Sequence, residues 1–328
     1  MTKEEVAPSN TPQKAPSRFT KLLGSAWFWV GIIATLLGLW EGIDHAREVA
    51  HKRAREKIMQ TTLVSSGRMI HVGRSDEIRE VVLVADKIEV AGGDHAIPAG
   101  SVWLANEVSL TDGATLKATT FSIVAKSLNG GVIDAAGSTP AAAGANGTSG
   151  GDLFILANKV ANLELVTRGG DGAPGGPGPA GRDGRDGSCA GFGGYRGADR
   201  GGDGGNGQPG GIGGSGGRIR IAAAELSPSP SPINYAAGRG GSGGAAGRGG
   251  HGGTGCTGLG GSQPNQPDGS PGQPAPDGHG GSPGSFELKP VAYDKVLEIV
   301  GMSRDPNAVL NTALAAFETG FASPQPTN

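Results

Sequence analysis

The chain has 328 residues, with 28 Lys and Arg against 30 Asp and Glu for a formal net charge of −2, so no basic surface recruits nucleic acid or an acidic substrate. Aromatic residues make up 5%, which argues against base-stacking surfaces. Glycine (63) and proline (22) supply about a quarter of the chain, a level typical of collagen or low-complexity sequence, yet the glycines crowd between Gly130 and Gly284, while Ile78 to Leu128 is ordinary strand-forming sequence.

Residues 1–20 are polar and rich in Pro and Ser, and read as a flexible tail. Leu22 to Trp40 is then free of charge and about as long as a bilayer-spanning helix. Within a predicted transmembrane helix at 21–41, Trp27, Trp29 and Trp40 fall where interfacial aromatics sit. The flanking charges, with Glu4 and Glu5 before and REVAHKRAREK after, favour an uncleaved anchor over a signal peptide. The expectation is a single-pass membrane protein with its main domain exported; Gly24, Gly31 and Gly38 on one face would allow a homo-oligomer through that helix. Residues 42–60 read as a charged juxtamembrane helix.

A repeat governs 61–300. LVADKI, WLANEV and IVAKSL share two mostly apolar residues, an alanine, two mostly polar residues and an aliphatic, with Ala85, Ala105 and Ala125 spaced by twenty. ILANKV around Ala157 and RIAAAEL around Ala223 continue the pattern after glycine-rich insertions at 137–151, 169–217 and 238–284. Without the insertions the period returns to about twenty, so one corner of a repeating unit is opened three times. Short strands with small or polar corners and a period near twenty predict an all-β parallel solenoid, each rung burying its apolar face against the next. The alternative, a β-sandwich, explains short strands but not the returning alanine. The resemblance is to parallel β-helix proteins and rests on pattern over about Arg79 to Val296.

Inside the long insertions glycine keeps a period of three over 172–187 (GAPGGPGPAGRDGRDG), 201–216, 238–253 and 269–284, with Ala275 the one exception. Each long insertion is thus an outbound run, an irregular middle and a return. A collagen triple helix needs three parallel chains in register, which short loops tied at both ends cannot supply. A flexible linker is the other alternative. The preferred reading is a bundle of polyproline-II segments, in which glycine clears one face for a neighbouring backbone and proline fixes φ. This architecture resembles the glycine-rich antifreeze proteins of springtails and the glycine-rich tips of some phage tail adhesins; no binding residue transfers.

Cys189 and Cys256, the two cysteines, lie in no CxxC pattern, and too few ligands accompany them for zinc. They fall about equally far past their corners, so parallel loops bring the thiols to one height, and the pair is the candidate disulfide, which calls for an oxidising compartment.

Residues 301–328 read as a C-terminal helix and tail. Asp305 can cap, Pro306 suits the first turn, and Val309, Leu310, Leu314 and Phe317 share a face, predicting a helix that covers the end of the solenoid.

No nucleophile elbow, zinc-protease, Walker or dinucleotide motif is present, so no catalytic, metal or cofactor residue is assigned. His251 and His279 read as solvent-exposed, and Arg182, Asp183, Arg185 and Asp186 as surface ion pairs. The predicted role is a membrane-tethered, non-enzymatic envelope or surface protein acting in adhesion, binding or scaffolding, with a glycan or an envelope protein as partner. The alternatives are a glycan-active β-helix enzyme, which needs paired carboxylates, and a stalk subunit of an envelope assembly. Asp86, Asn106, Lys126 and Asn158 share one repeat position and would stack into a ladder that is polar but shows no acid pair.

Overall fold

A computed structural model describes residues 67–190, 194–227, 232–259, 261–301 and 305–321. The chain divides at Gln60, and every described residue belongs to the second unit, Thr61–Asn328. The expected tail, transmembrane helix and juxtamembrane helix, Trp27, Trp29 and Trp40 included, lie outside the described residues.

The fold is β-rich and its two large sheets are parallel. Long strands β2 (Val82–Val90), β4 (Ser101–Leu110), β6 (Thr120–Asn129), β8 (Asp152–Ala161) and β12 (Arg218–Ser227) stand side by side, flanked by β1 (Met69–Val72) at one edge and β16 (Ser285–Pro290) at the other. A second sheet is made of the short strands β3 (Asp94–Ala96), β5 (Thr115–Lys117), β7 (Val132–Asp134), β9 (Glu164–Val166) and β13 (Ile233–Asn234). Each long strand is followed in the chain by a short one, and the pair recurs five times. Parallel neighbours with this order require the chain to circle back between partners.

The register follows the sequence period. Ala85, Ala105, Ala125, Ala157 and Ala223 are successive partners in one column, all buried. Two residues before each runs the column Leu83, Trp103, Ile123, Ile155, Ile221, Leu288; three after it runs Ile88, Val108, Leu128, Val160, Leu226. Leu116, Ile133 and Leu165 face them from the short sheet, so like residues stack on like along one continuous core. The aromatic members nest edge to face, Trp103 on Phe121 at 4.9 Å between centroids.

Two helices follow, α1 (Tyr293–Gly301) and α2 (Pro306–Thr319). Asp305 caps α2 through the Asn307 amide, Pro306 opens it and Gly320 closes it in the left-handed region. The predicted end cap is corrected by the packing. Val309, Ala313 and Phe317 bury against the outward column Leu104, Val124, Leu156, Ala222 of the long sheet, with Leu310 and Leu314 beside them. That column is apolar on a strand face that would otherwise meet water, so the helices cover the side of the sheet and leave its edge strand open. Arg220 to Glu318 at 3.3 Å and Phe154 against Phe317 fix the seat.

No helix among the described residues is long and apolar enough to cross a membrane, which overturns the expected single-pass membrane location with an exported main domain. Even α2, at 14 residues, reaches about 21 Å at 1.5 Å per residue, against a bilayer core of about 30 Å.

Candidate functional site

The three insertions leave after the neighbouring short strands β7, β9 and β13 and return at β8, β12 and β16. The four glycine-periodic runs pack into one ordered arm. We call them run a (172–187), run b (201–216), run c (238–253) and run d (269–284).

Their hydrogen bonds are regular. In run a, the amides of Gly172, Gly175, Gly178, Gly181, Gly184 and Gly187 donate to the carbonyls of Arg239, Ser242, Ala245, Arg248, His251 and Thr254, a constant offset along a parallel pair. Run b donates backwards into run a, as Gly202 to Arg182 and Gly211 to Ala173, and forwards into run d, as Gly204 to Ser270 and Gly213 to His279. Run c donates antiparallel into run b, as Gly241 to Gly211, and run d into run c, as Gly278 to Gly241. Runs b and c therefore each touch three others, whereas a and d each touch two. The shorter insertion joins the base, where Gly147 donates to Ile212 and Gly150 to Ser215.

Glycine is required by contact. A Cβ on Gly211 would lie 1.9 Å from the Ala145 oxygen, one on Gly210 2.0 Å from the Gly241 oxygen, and one on Gly240 1.9 Å from the Gly278 oxygen. The interior runs accordingly carry two glycines in most triplets and a single proline, Pro209. The outer runs carry one glycine in most triplets and most of the prolines: Pro174, Pro177 and Pro179 in run a, Pro271, Pro274, Pro276 and Pro283 in run d. An outward amide at an edge has no protein partner, and proline removes it.

Several of the remaining amides are met by side chains. Asp171 Oδ1 accepts the Arg239 amide while Gly172 donates to the Arg239 carbonyl. The same two-point clamp recurs at Asp183-Gly184 on His251, Asp186-Gly187 on Thr254, Asp203-Gly204 on Ser270, Asn206-Gly207 on Gln273 and Asn146-Gly147 on Ile212. Asp183 and Asp186 thus serve the neighbouring backbone rather than the arginines beside them; Arg185 instead pairs with Asp199 at 2.9 Å. Sequence reading missed the clamp, and its signal was an Asx before the periodic glycine.

At the far end the structure joins Cys189 and Cys256 in a disulfide, with Cα atoms 5.8 Å apart and a sequence separation of 67, the offset that relates run a to run c. Each cysteine opens a small hairpin, Ser188–Ala190 with Gly194–Arg196 and Thr257–Gly258 with Gly261–Ser262. The two tips share a sequence motif, with hairpin registers that differ by one residue. Both read Cys-x-Gly-Φ-Gly-Gly, with Φ being Phe192 (outside the described residues) in one and Leu259 in the other. Leu259 is 98% exposed and Tyr195 60%. Two hairpins locked together, one showing Tyr195 and the other Leu259 to solvent, form the best candidate contact site.

The other sequence-predicted positions give no comparable cluster. In the column at the repeat's polar position Asn106 Nδ2 donates to Asp86 Oδ1 at 3.2 Å, Asn158 is fully buried, and burial holds the Lys126 amine below the usual lysine range. That column contains one carboxylate. His251 is exposed, 3.7 Å from Asp268. Among the described residues no group of three or more His, Cys, Asp or Glu is placed to hold a metal ion.

Comparison with protein-family models, with curated proteins and with solved structures returns no match.

Proposed function

We propose that the described unit is a β-solenoid carrying a polyproline-II arm, and that the chain is a non-enzymatic binding or scaffolding protein that engages its partner, a glycan or another protein, through the arm's tip. The solenoid reading is supported by the single alanine column and the alternation of long and short parallel strands. The polyproline-II reading is supported by hydrogen bonds that recur every third residue between runs with no strand pairing. The architectural resemblance to springtail antifreeze proteins and phage adhesin tips enters here on the same grounds.

The observation that carries the functional reading is the duplicated, disulfide-tied tip. Sixteen residues at about 3.1 Å each place it about 50 Å from the core. A site held that far out on a braced arm suits contact with something large, and the disulfide restrains both hairpins before contact, which lowers the ordering cost of binding.

The test is a glycan array and a panel of purified polysaccharides probed with the full chain and with Leu259→Ser/Tyr195→Ala. Tip-dependent binding with the polysaccharide length unchanged is the expected result. Polysaccharide shortened by the unmodified chain would replace this reading with the glycan-active enzyme, and binding indifferent to the tip substitutions would remove the tip from it.

A further inference from the structure

The sequence contains ten Asx-Gly bonds, seven Asp-Gly and three Asn-Gly. Such a bond carries its own reaction. The glycine amide nitrogen attacks the side-chain Cγ of the residue before it and an N–C bond forms. The amide proton departs with the displaced oxygen as water from Asp, or with the displaced nitrogen as ammonia from Asn. Water then opens the cyclic imide at either carbonyl. Opening at the original main-chain carbonyl leaves isoaspartate, with the side-chain methylene inserted into the backbone. Glycine favours the attack because no Cβ hinders the approach. Both groups must be free, since a held amide or a held carboxylate cannot turn to meet the other.

Nine of the ten bonds are held at both groups. The six clamps described above are all Asx-Gly bonds, each with its glycine amide on a carbonyl and its side-chain oxygen on an amide. Asp268 and Asp277 accept the Gly252 and Gly243 amides, while Gly269 and Gly278 donate to the Gly250 and Gly241 carbonyls. At Asn129, Oδ1 accepts from Asn162 Nδ2 at 3.0 Å and the Gly130 amide donates to the Ala161 carbonyl.

The tenth bond, Asp112-Gly113, differs. It lies in the corner between β4 and β5, and both residues are exposed with left-handed φ values of 51° and 74°. The Ala114 amide closes the corner on the Thr111 carbonyl at 2.9 Å. Among the described residues neither the Asp112 carboxylate nor the Gly113 amide has a partner. The register gives the reason. Ser109 pairs with Asn129 and Thr115 with Val132, so this corner takes six steps where the corner between β6 and β7 takes three. The extra residues bulge clear of the neighbours that would hold them, and a Cβ on Gly113 would meet nothing within 4 Å.

We infer that Asp112-Gly113 is the chain's site of isoaspartate formation, and that paired hydrogen bonds close the other nine bonds to the same reaction. An arm rich in Asx-Gly is thereby kept from chemical decay by the clamps that hold it together. Engaging one of the two groups in a hydrogen bond lowers the reactive population about fivefold, and engaging both lowers it about thirtyfold.

The full oxidised chain is aged in heavy-oxygen water at mildly acidic pH, beside a reduced sample unfolded in urea. The label marks each imide that has opened, and electron-transfer fragmentation of the peptides locates isoaspartate. Among the seven Asp-Gly bonds of the folded chain, Asp112 should lead each of the other six by about thirtyfold or more, while the unfolded sample shows all seven at similar rates. His251→Pro removes the amide that holds Asp183 and keeps the carbonyl that holds Gly184. Isoaspartate at Asp183 should then rise about fivefold, with exchange protection of the Gly181 and Gly187 amides unchanged. Thr254→Pro repeats the measurement at Asp186. Equal rates at the seven folded bonds, an arm bond ahead of Asp112, or no product at Asp112 where the unfolded sample gives it would overturn the inference. A rise shared by every arm bond in both proline variants would overturn the shielding by paired hydrogen bonds.

Discussion

One substitution, made at two glycines, separates a packed arm from a flexible one. Gly211 lies in run b, where a Cβ would come within 1.9 Å of the Ala145 oxygen and 3.0 Å of the Ala173 amide nitrogen. Gly211→Ala must push run b away from the backbones that hold it. Overpacking of a close-packed site costs about 1–3 kcal/mol. The amide of Gly211 donates to Ala173 and its carbonyl accepts from Gly241, and weakening each bond adds about 1 kcal/mol. The expected loss is about 3–5 kcal/mol. Gly280 lies in outer run d, where a Cβ meets only the Gly238 oxygen at 3.4 Å, ordinary contact. Gly280→Ala leaves the arm intact and restricts the unfolded chain, so it stabilises by about 0.4–1 kcal/mol. Urea unfolding of the oxidised protein, with hydrogen exchange at the amides of 202–214, measures both. Equal effects at the two positions would refute the packed arm, because a flexible linker cannot distinguish one glycine from the other.

Asp183→Asn keeps the acceptor of the clamp and should leave the His251 amide protected from exchange, whereas Asp183→Ala exposes it and costs about 1 kcal/mol; equal loss in both would assign the role to charge instead. Reduction of Cys189–Cys256 should destabilise by at most about 4 kcal/mol on the loop-closure argument, with exchange rising at the tip hairpins first and the base of the arm unchanged; uniform loss along the arm would contradict the ladder. Phe317→Ala, removing a fully buried ring that stacks edge-on to Phe154, should cost about 3–5 kcal/mol and expose apolar surface on the long sheet, read as dye binding and a lower midpoint. An unchanged midpoint would mean that the helices do not cover that face.

How much of this is legible in the sequence depends on whether a feature is written as a period. Ala85, Ala105 and Ala125 recur at twenty because parallel strands in register put the same residue at the same place, and a strand-rich chain follows from that spacing. The helix face of Val309 and Phe317 is legible as periodicity, but its docking place is not. Helical spacing states that an apolar stripe needs cover, and the outward column Leu104, Val124, Leu156 that supplies the cover reads, taken strand by strand, like more core. Asp183 and Asp186 beside Arg182 and Arg185 look like ion pairs because charge is visible in a sequence, while the amides of His251 and Thr254 that they meet are not. The twin tips could have been found from Cys-x-Gly-Φ-Gly-Gly, but both copies sit in glycine-rich surroundings where any glycine motif looks accidental.

The arm also states where each run lies, through how glycine and proline are divided. A backbone surrounded on several sides cannot carry a Cβ toward any of them, so runs b and c use glycine at two positions of most triplets. A backbone at the rim must clear one side and faces water on another, where an amide without a protein partner invites a foreign strand. Proline removes that amide in runs a and d, and in run d the Ser270 and Gln273 amides donate to Asp203 and Asn206 of run b. With almost no apolar core of its own, the arm depends on this division for its width. Exchanging the two kinds of triplet between runs b and d, with composition held constant, would place Cβ atoms inside and donors outside. The arm should then lose its exchange protection while the alanine column keeps its own, and an arm that survived the exchange would show that glycine content, rather than glycine placement, holds it together.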